Sequence, residues 1–175
     1  MSNGSSSVSR ASVFVEGVGN DICCPFVDQE NNLFYLLQDT GEVIAIDPSG
    51  ETERIHCTNG QPSGAAFDEQ GILYISDFAH GAVLAIHEAG NDQQEFVVGV
   101  YEDVPLKGPH SIVAGSNGNL YFTDSGPLGE TSFQKPEGSL FVISNSPSGQ
   151  ILKPISLGNL AGPTGIAVSP DGMFM

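Results

Sequence analysis

The sequence predicts an all-β fold, a β-propeller of four-stranded antiparallel blades in which three blades and the start of a fourth are present. Three observations carry the prediction. The stretch Gly118 to Asp124 (Gly-Asn-Leu-Tyr-Phe-Thr-Asp) has a twin at Gly71 to Asp77 (Gly-Ile-Leu-Tyr-Ile-Ser-Asp), with weaker copies at Asn31 to Leu37 and Gly172 to Met175. With Leu33, Leu73, Leu120 and Phe174 taken as equivalent, the copies are spaced by 40, 47 and 54 residues, the period of blades or other arrayed repeats. Twenty-two glycines and eleven prolines punctuate the chain, as many short strands require, and no stretch shows a convincing helical period.

Residues 1 to 11 are small, polar and without period, and read as a disordered tail; the propeller occupies 12–175. Ser12–Val15 is a short strand candidate. Each repeat then divides into four strands separated by turn residues. The first blade, about 22–58, carries Cys24–Asp28, Leu33–Leu37, Val43–Asp47 and Glu53–His56, with turns at Gln29–Asn32, Asp39–Gly41 and Pro48–Gly50. The second, about 62–99, carries Gly64–Asp68, Leu73–Ser76, Val83–Ile86 and Glu95–Val98. The third, about 109–156, carries Ser111–Ala114, Leu120–Thr123, Ser139–Ile143 and Ile151–Ile155. A fourth, 163–175, begins with Gly165–Val168 and Met173–Met175. The small residues of Gly64-Ala65-Ala66 and Gly165-Ile166-Ala167 suit innermost strands, because blades crowd towards the axis.

Antiparallel connections alternate between two faces. One face therefore receives Cys23, Gln61–Ser63, Lys107–His110 and Gly162–Thr164, together with the loops Asp77–Gly81 and Asp124–Gly138. Long loops on one face of a repeat array are where binding concentrates.

Composition excludes several functions. The formal net charge is −16, with only five basic residues and no cluster among them. Nucleic acid and anionic membrane surfaces both demand a basic footprint, so neither is a partner. Three cysteines, two of them adjacent, do not make a disulfide framework or a zinc-finger spacing, and reduced thiols fit a cytoplasmic location. The serine-rich N-terminus lacks the apolar segment of a signal peptide.

The motif Pro-x-Gly-x-Ala-x-(Asp/Ser)-x-x-Gly-x-Leu-Tyr-x-x-Asp, present at Pro62 to Asp77 and in part at Pro163 to Phe174, resembles the repeat of NHL-type six-bladed propellers. Gly108-Pro109-His110-Ser111, Leu120 to Pro127 and Gly162 to Gly172 resemble the senescence-marker-protein/gluconolactonase superfamily. Strictosidine-synthase-like propellers share that skeleton. The resemblance runs from about Asp21 to the C-terminus and implies that about three to four of six blades are present. It also implies a divalent cation on the propeller axis, held by a glutamate of Glu-Gly-Pro, an asparagine of Pro-Asn-Gly and a later aspartate, with a substrate-contacting asparagine in Pro-Asn-Asp. Matched residue by residue, the glutamate falls on Cys23, the Pro-Asn-Asp asparagine on His110 and the Pro-Asn-Gly asparagine on Thr164; the aspartate falls beyond Met175. Hard cations want carboxylate oxygens, so no intact metal ligand is expected here, and calcium or zinc enters only if the chain is a hydrolase.

Candidate binding residues on the loop face are Cys23, Ser63, His110, Ser111, Asp124 and Thr164. Each has a structural alternative. A lone histidine commonly satisfies backbone groups, and an aspartate ending a strand, as Asp77 and Asp124 do, caps the following turn. Cys23 and Cys24 read more readily as small buried residues than as a redox pair, and Lys107 and Lys135 as solvated residues.

Three blades and the start of a fourth do not close a ring. A truncated six-bladed protein is the expectation, ahead of a half-ring that self-associates through its open flank or a docked subunit. The expected function is a propeller scaffold or binding module with a degraded lactonase-type site, taking a protein partner or a small-molecule ligand. The rival is a divalent-metal-dependent hydrolase of lactones or esters completed by other blades, with His110, Thr164 and Asp124 lining its mouth; a strictosidine-synthase-like condensation stands third.

Overall fold

Runs of β-branched and aromatic residues bounded by glycine turns fold into three four-stranded antiparallel sheets, each in simple up-and-down order. The structure is a computed structural model that describes residues 10–28, 33–38, 40–127, 129–147 and 149–175. The turn at Gln29–Asn32, Asp39 and residues 1–9 of the expected tail lie outside the described residues. The first sheet holds β1 (Ile22–Asp28), β2 (Leu33–Gln38), β3 (Glu42–Ile46) and β4 (Thr52–Cys57). The second holds β5 (Pro62–Phe67), β6 (Leu73–Asp77), β7 (Ala82–Ile86) and β8 (Glu95–Val98). A hairpin of β9 (Val100–Tyr101) and β10 (Val104–Pro105) leads to the third, formed by β11 (Pro109–Ala114), β12 (Leu120–Asp124), β13 (Gly138–Ser146) and β14 (Gly149–Leu160). Among the described residues no helix is long and apolar enough to cross a membrane.

The hydrophobic pattern explains why these sheets stack. In β6 and β7 every residue is buried, the mark of a sheet covered on both faces. One core lies between the first and second sheets, where Leu37, Val43, Leu73 and Ile75 meet. Another lies between the second and third, where Val83, Ile112, Phe122 and Phe141 meet. The aromatic pairs within them are offset or tilted; Phe122 and Phe141 stack with centroids 5.4 Å apart, the arrangement ring quadrupoles favour.

The inner strands β1, β5 and β11 run side by side in that order, so the sheets fan about an axis as an unclosed ring, the architecture of a partial β-propeller. Gly64 shows how tight the centre is. A Cβ there would collide with the backbone of β11 at His110, with Ser111 Cα at 2.9 Å and Ile112 N at 3.1 Å. Only a residue without a side chain lets the two inner strands approach so closely.

The outer edge of the first sheet is covered by the loop following β7. Gly90 N–H donates to the Ile55 carbonyl at 2.7 Å and Cys57 N–H to the Asp92 carboxylate at 3.0 Å, so part of β4's ladder is satisfied by the neighbouring sheet. A covered edge is a standard defence against unwanted strand pairing.

Three segments differ from the sequence-based expectation. Ser12–Val15 forms no strand; Val15 instead packs on the turn at Gly50, whose missing Cβ would lie 3.3 Å from Val15 Cγ2. Gly165–Val168 and Met173–Met175 form no ladder either, although Gly172 N–H still closes a turn on the Ser169 carbonyl at 2.8 Å. A hairpin with no third strand beside it is marginal. The pair β9–β10 is absent from the sequence reading. Its turn residues Glu102 and Asp103 have φ of 48° and 63°, a left-handed pair that Asn-Gly announces and Glu-Asp does not.

Candidate functional site

A cavity of about 370 Å³ opens on the loop face at the inner ends of the three sheets. Four sequence-predicted residues, Cys23, Ser63, His110 and Thr164, line it, and so do Gln61, Phe78, Pro127 and Thr131. Ser111 and Asp124 do not.

The backbone brings these side chains together by one device used three times. Each inner strand carries a one-residue irregularity where it enters its sheet: between Cys23 and Phe26 in β1, Pro62 and Gly64 in β5, and Pro109 and Ile112 in β11. A bulge supplies an extra residue that escapes the ladder and re-aims its side chain. Ser63 is the extra residue of β5. Its hydroxyl lies 2.9 Å from the Pro109 carbonyl and 3.2 Å from that of Ser76, so it spans the seam between second and third sheets. His110 occupies the same place in β11; its Nδ1 is enclosed and meets no hydrogen-bond partner in the structure. Ser111, next in the bulge, is held through its backbone N–H by Thr123 Oγ1 at 3.0 Å.

The first sheet handles its bulge differently. Cys24 adopts φ of 48°; both cysteines pack against the core between the first two sheets, and Cys23 also lines the cavity. Cys23 Sγ donates to the Pro62 carbonyl at 3.5 Å. Burial raises the Cys24 thiol above its ordinary value, partly offset by a backbone hydrogen bond from Ala65. Cys24 therefore stays protonated and is a poor nucleophile or metal ligand. Thr164 lies beyond β14 on a segment tied down by Ser125 Oγ, which donates to the Pro163 carbonyl at 2.7 Å.

Phe78 and Pro127 supply the apolar wall. Phe78 can stand there only because residue 108 is glycine: a Cβ on Gly108 would lie 2.8 Å from the ring carbon Cε2 and 3.0 Å from the Gly126 carbonyl. The sequence flags Pro127 by the long insertion after Asp124, whereas Phe78 carries no signal beyond following a strand-ending aspartate.

The two aspartates act as turn caps. Asp77 is fully buried and accepts hydrogen bonds from the N–H groups of Gln61 at 2.9 Å and His80 at 3.0 Å. Asp124 accepts from Lys107 N–H at 3.0 and 3.1 Å and from Gly108 N–H at 2.5 Å. Burial holds the Asp124 carboxyl above the usual carboxylate range, against the lowering effect of those two donors and the nearby Lys107 charge. It belongs to a second, off-axis cavity.

The donor set does not fit the axial cation that the resemblance implies. Among the described residues the cavity wall offers a thiol, an imidazole, hydroxyls and a carboxamide and no carboxylate. Hard divalent cations require several oxygens including carboxylates. Among the described residues no three His, Cys, Asp or Glu side chains converge to hold a metal ion.

Comparison with known proteins places this geometry. No protein-family profile matches the chain. It is 32% identical over 124 residues to the protein strictosidine synthase-like 3 of Arabidopsis thaliana, a match covering 66% of this chain and 30% of that one. Among solved structures it is similar to a gluconolactonase of Xanthomonas campestris described as important in glucose secondary metabolic pathways, with a TM-score of 0.72, 21% identity, and coverage of 86% of this chain and 51% of that one. It is also similar to virginiamycin B lyase of Staphylococcus aureus, with a TM-score of 0.61, 16% identity, and coverage of 83% and 45%. The chain thus spans about a third of the curated relative and about half of these solved chains. Its fold is the propeller that gluconolactonase and virginiamycin B lyase share, present in part.

Proposed function

We propose that this chain is a binding module, part of a longer six-bladed protein, whose axial cavity takes a small uncharged ligand at a degraded lactonase-type site. One observation carries the reading: the side chains turned onto the axis by the bulges are polar hydrogen-bonding groups, Ser63 and His110, beside the thiol of Cys23 and the hydroxyl of Thr164. Apolar walls with a few fixed polar groups are the makeup of small-molecule sites. The Phe78 and Pro127 walls favour an apolar body, and the His110 imidazole and Thr164 hydroxyl on the cavity wall favour a ligand with a hydroxyl or carbonyl to meet them.

A second reading is a metal-dependent lactone or ester hydrolase. The fold shared with a described gluconolactonase supports it, with the carboxylate ligands then coming from segments outside this chain. In that case Cys23, His110 and Thr164 would shape and orient the substrate rather than hold the cation.

Assay of sugar lactones and uncharged aliphatic lactones, with calcium or zinc and with chelator, separates the two. The first reading expects no turnover while uncharged lactones perturb the amide signals of Ser63, His110 and Thr164. Turnover abolished both by chelator and by His110→Ala would overturn it in favour of the hydrolase.

A further inference from the structure

The off-axis cavity, of about 260 Å³, lies between the β9–β10 hairpin, the end of β12 and the strands β13 and β14. We propose that it binds an organic cation, a guanidinium or ammonium group carried on an apolar stem, with the head on Asp124. The inference is independent of the axial reading.

Its basis is an internal comparison between two blades. Asp77 and Asp124 end corresponding strands, and each pairs with the first proline of its inner strand (Pro62 and Pro109). Both are buried and both accept backbone N–H groups from the incoming loop. The Asp77 carboxylate has in addition an imidazole beside it: His80 Nδ1 lies 3.0 Å from Asp77 Oδ1, without hydrogen-bond geometry, and Asp77 Oδ2 has no hydrogen-bond partner. Three residues after Asp124 stands Pro127, and among the described residues no side-chain donor reaches the Asp124 carboxylate. The second blade sets an imidazole of its own beside its aspartate. The third has a cavity at the corresponding place.

The local charges sharpen this. The Lys107 side chain makes no hydrogen bond to Asp124, although its charge acts on the carboxyl: its Nζ turns to Glu137 at 3.1 Å, where Lys135 Nζ also binds at 2.6 Å. Glu137 is therefore already matched by two cations. Glu102, on the cavity wall, accepts the Tyr101 hydroxyl at 3.0 Å and adds negative charge at the mouth. A buried carboxylate with only backbone partners gains most from a cation entering the low-dielectric space beside it.

The walls suit the rest of such a ligand. Leu106 and Phe141 are buried behind the cavity, while Val104 and Leu157 are 56% and 53% exposed at its rim. Tyr101 and Phe141 pack with centroids 5.4 Å apart, and aromatic rings attract guanidinium and ammonium heads. An aliphatic stem along Leu157 with a charged tip inside matches this distribution, as in a long basic side chain.

The test is a titration of the full ¹⁵N-labelled chain with n-hexylguanidinium, using hexanol as the uncharged control. Saturable shifts at Leu106, Lys107, Ser139 and Gly158 with the guanidinium, and not with hexanol, are the expected result. Asp124→Asn keeps an acceptor for the two loop N–H groups and should weaken binding by about tenfold or more, the loss of one charge-assisted contact. Leu157→Lys leaves Asp124 untouched and places a like charge at the rim; it should weaken the guanidinium by about fivefold, with salt reducing the difference. A peptide with one arginine, acetyl-Ala-Arg-Ala-amide, distinguishes sources. Binding comparable to the alkyl guanidinium points to a partner's side chain, and binding of the alkyl compound alone points to a free amine. Equal shifts with hexanol, no saturable shifts, or affinity unchanged in both variants would overturn the proposal.

Discussion

Asp92 grips the guanidinium of Arg54 in a forked pair at 3.0 and 3.1 Å across the seam between the first and second sheets. The same carboxylate receives Cys57 N–H, so one side chain joins a loop of the second sheet to the outer strand of the first. Hydrogen bonds from Arg54 hold the Asp92 carboxyl below its ordinary value. A lowered folded-state value means that its stabilising contribution is present above the ordinary carboxylate value of about 3.9 and is lost as pH falls through the lowered one. Asp92→Ala should therefore lower the thermal midpoint modestly at neutral pH, with the difference from wild type closing in strong acid. Both groups are about half exposed, so high salt should also narrow the gap.

Asp124 has the opposite sign. Burial raises its folded-state value, so the buried charge costs stability once pH exceeds that value, and the cost disappears below the ordinary carboxylate range. Asp124→Asn should therefore gain stability relative to wild type as pH rises from about 3 to about 7. Urea titrations at several pH values check this, and a flat difference across the range would refute it.

Gly64→Ala tests the crowding of the inner strands. The added methyl meets the backbone of β11 rather than a movable side chain, so relief requires the two sheets to separate. The expected cost is about 1–3 kcal/mol, the range for overpacking. Chemical denaturation measures it, and the His110 and Ser111 amide resonances should shift.

Ser63→Ala removes a hydroxyl that spans the same seam. Loss of the bond to the Pro109 carbonyl should cost about 0.5–1.5 kcal/mol with little change in the sheets. If Ser63 also contacts an axial ligand, affinity falls further than stability does, so binding should be compared at a temperature where both proteins are folded.

Gly108→Ala should drive the Phe78 ring out of its place. The added Cβ is also hemmed in by the Gly126 carbonyl at 3.0 Å, and a displaced Phe78 ring changes the wall of the axial cavity. Weakened binding of bulky uncharged ligands, with small ones retained, is the result to look for.

Much of the fold was legible because its signal is local and repeated. Gly-x-Leu-Tyr-x-x-Asp marks β6 and β12 nearly to the residue, since glycine turn, apolar run and capping aspartate each act within a few positions. The turn-capping role of Asp77 and Asp124 was also readable. The bulges were not, because an extra residue in one strand is visible only against its partner's register. Hence Cys23 and Cys24 could not be told apart, although only Cys23 lines the axial cavity and Cys24 takes a left-handed φ. Phe78 was missed for a similar reason: its place is decided by Gly108, thirty positions on, and by nothing near it in the chain. Lys107 and Lys135, read as solvated, converge on Glu137, a meeting that only the folding of the insertion creates.

The spare residue at each bulge has a wider consequence. Ser63 and His110 stand outside the regular ladder pairing, so sheet geometry exerts little selection on what these positions carry. Chemistry at the hub can drift while the spokes stay fixed, and one scaffold can exchange its cargo by trading a few side chains.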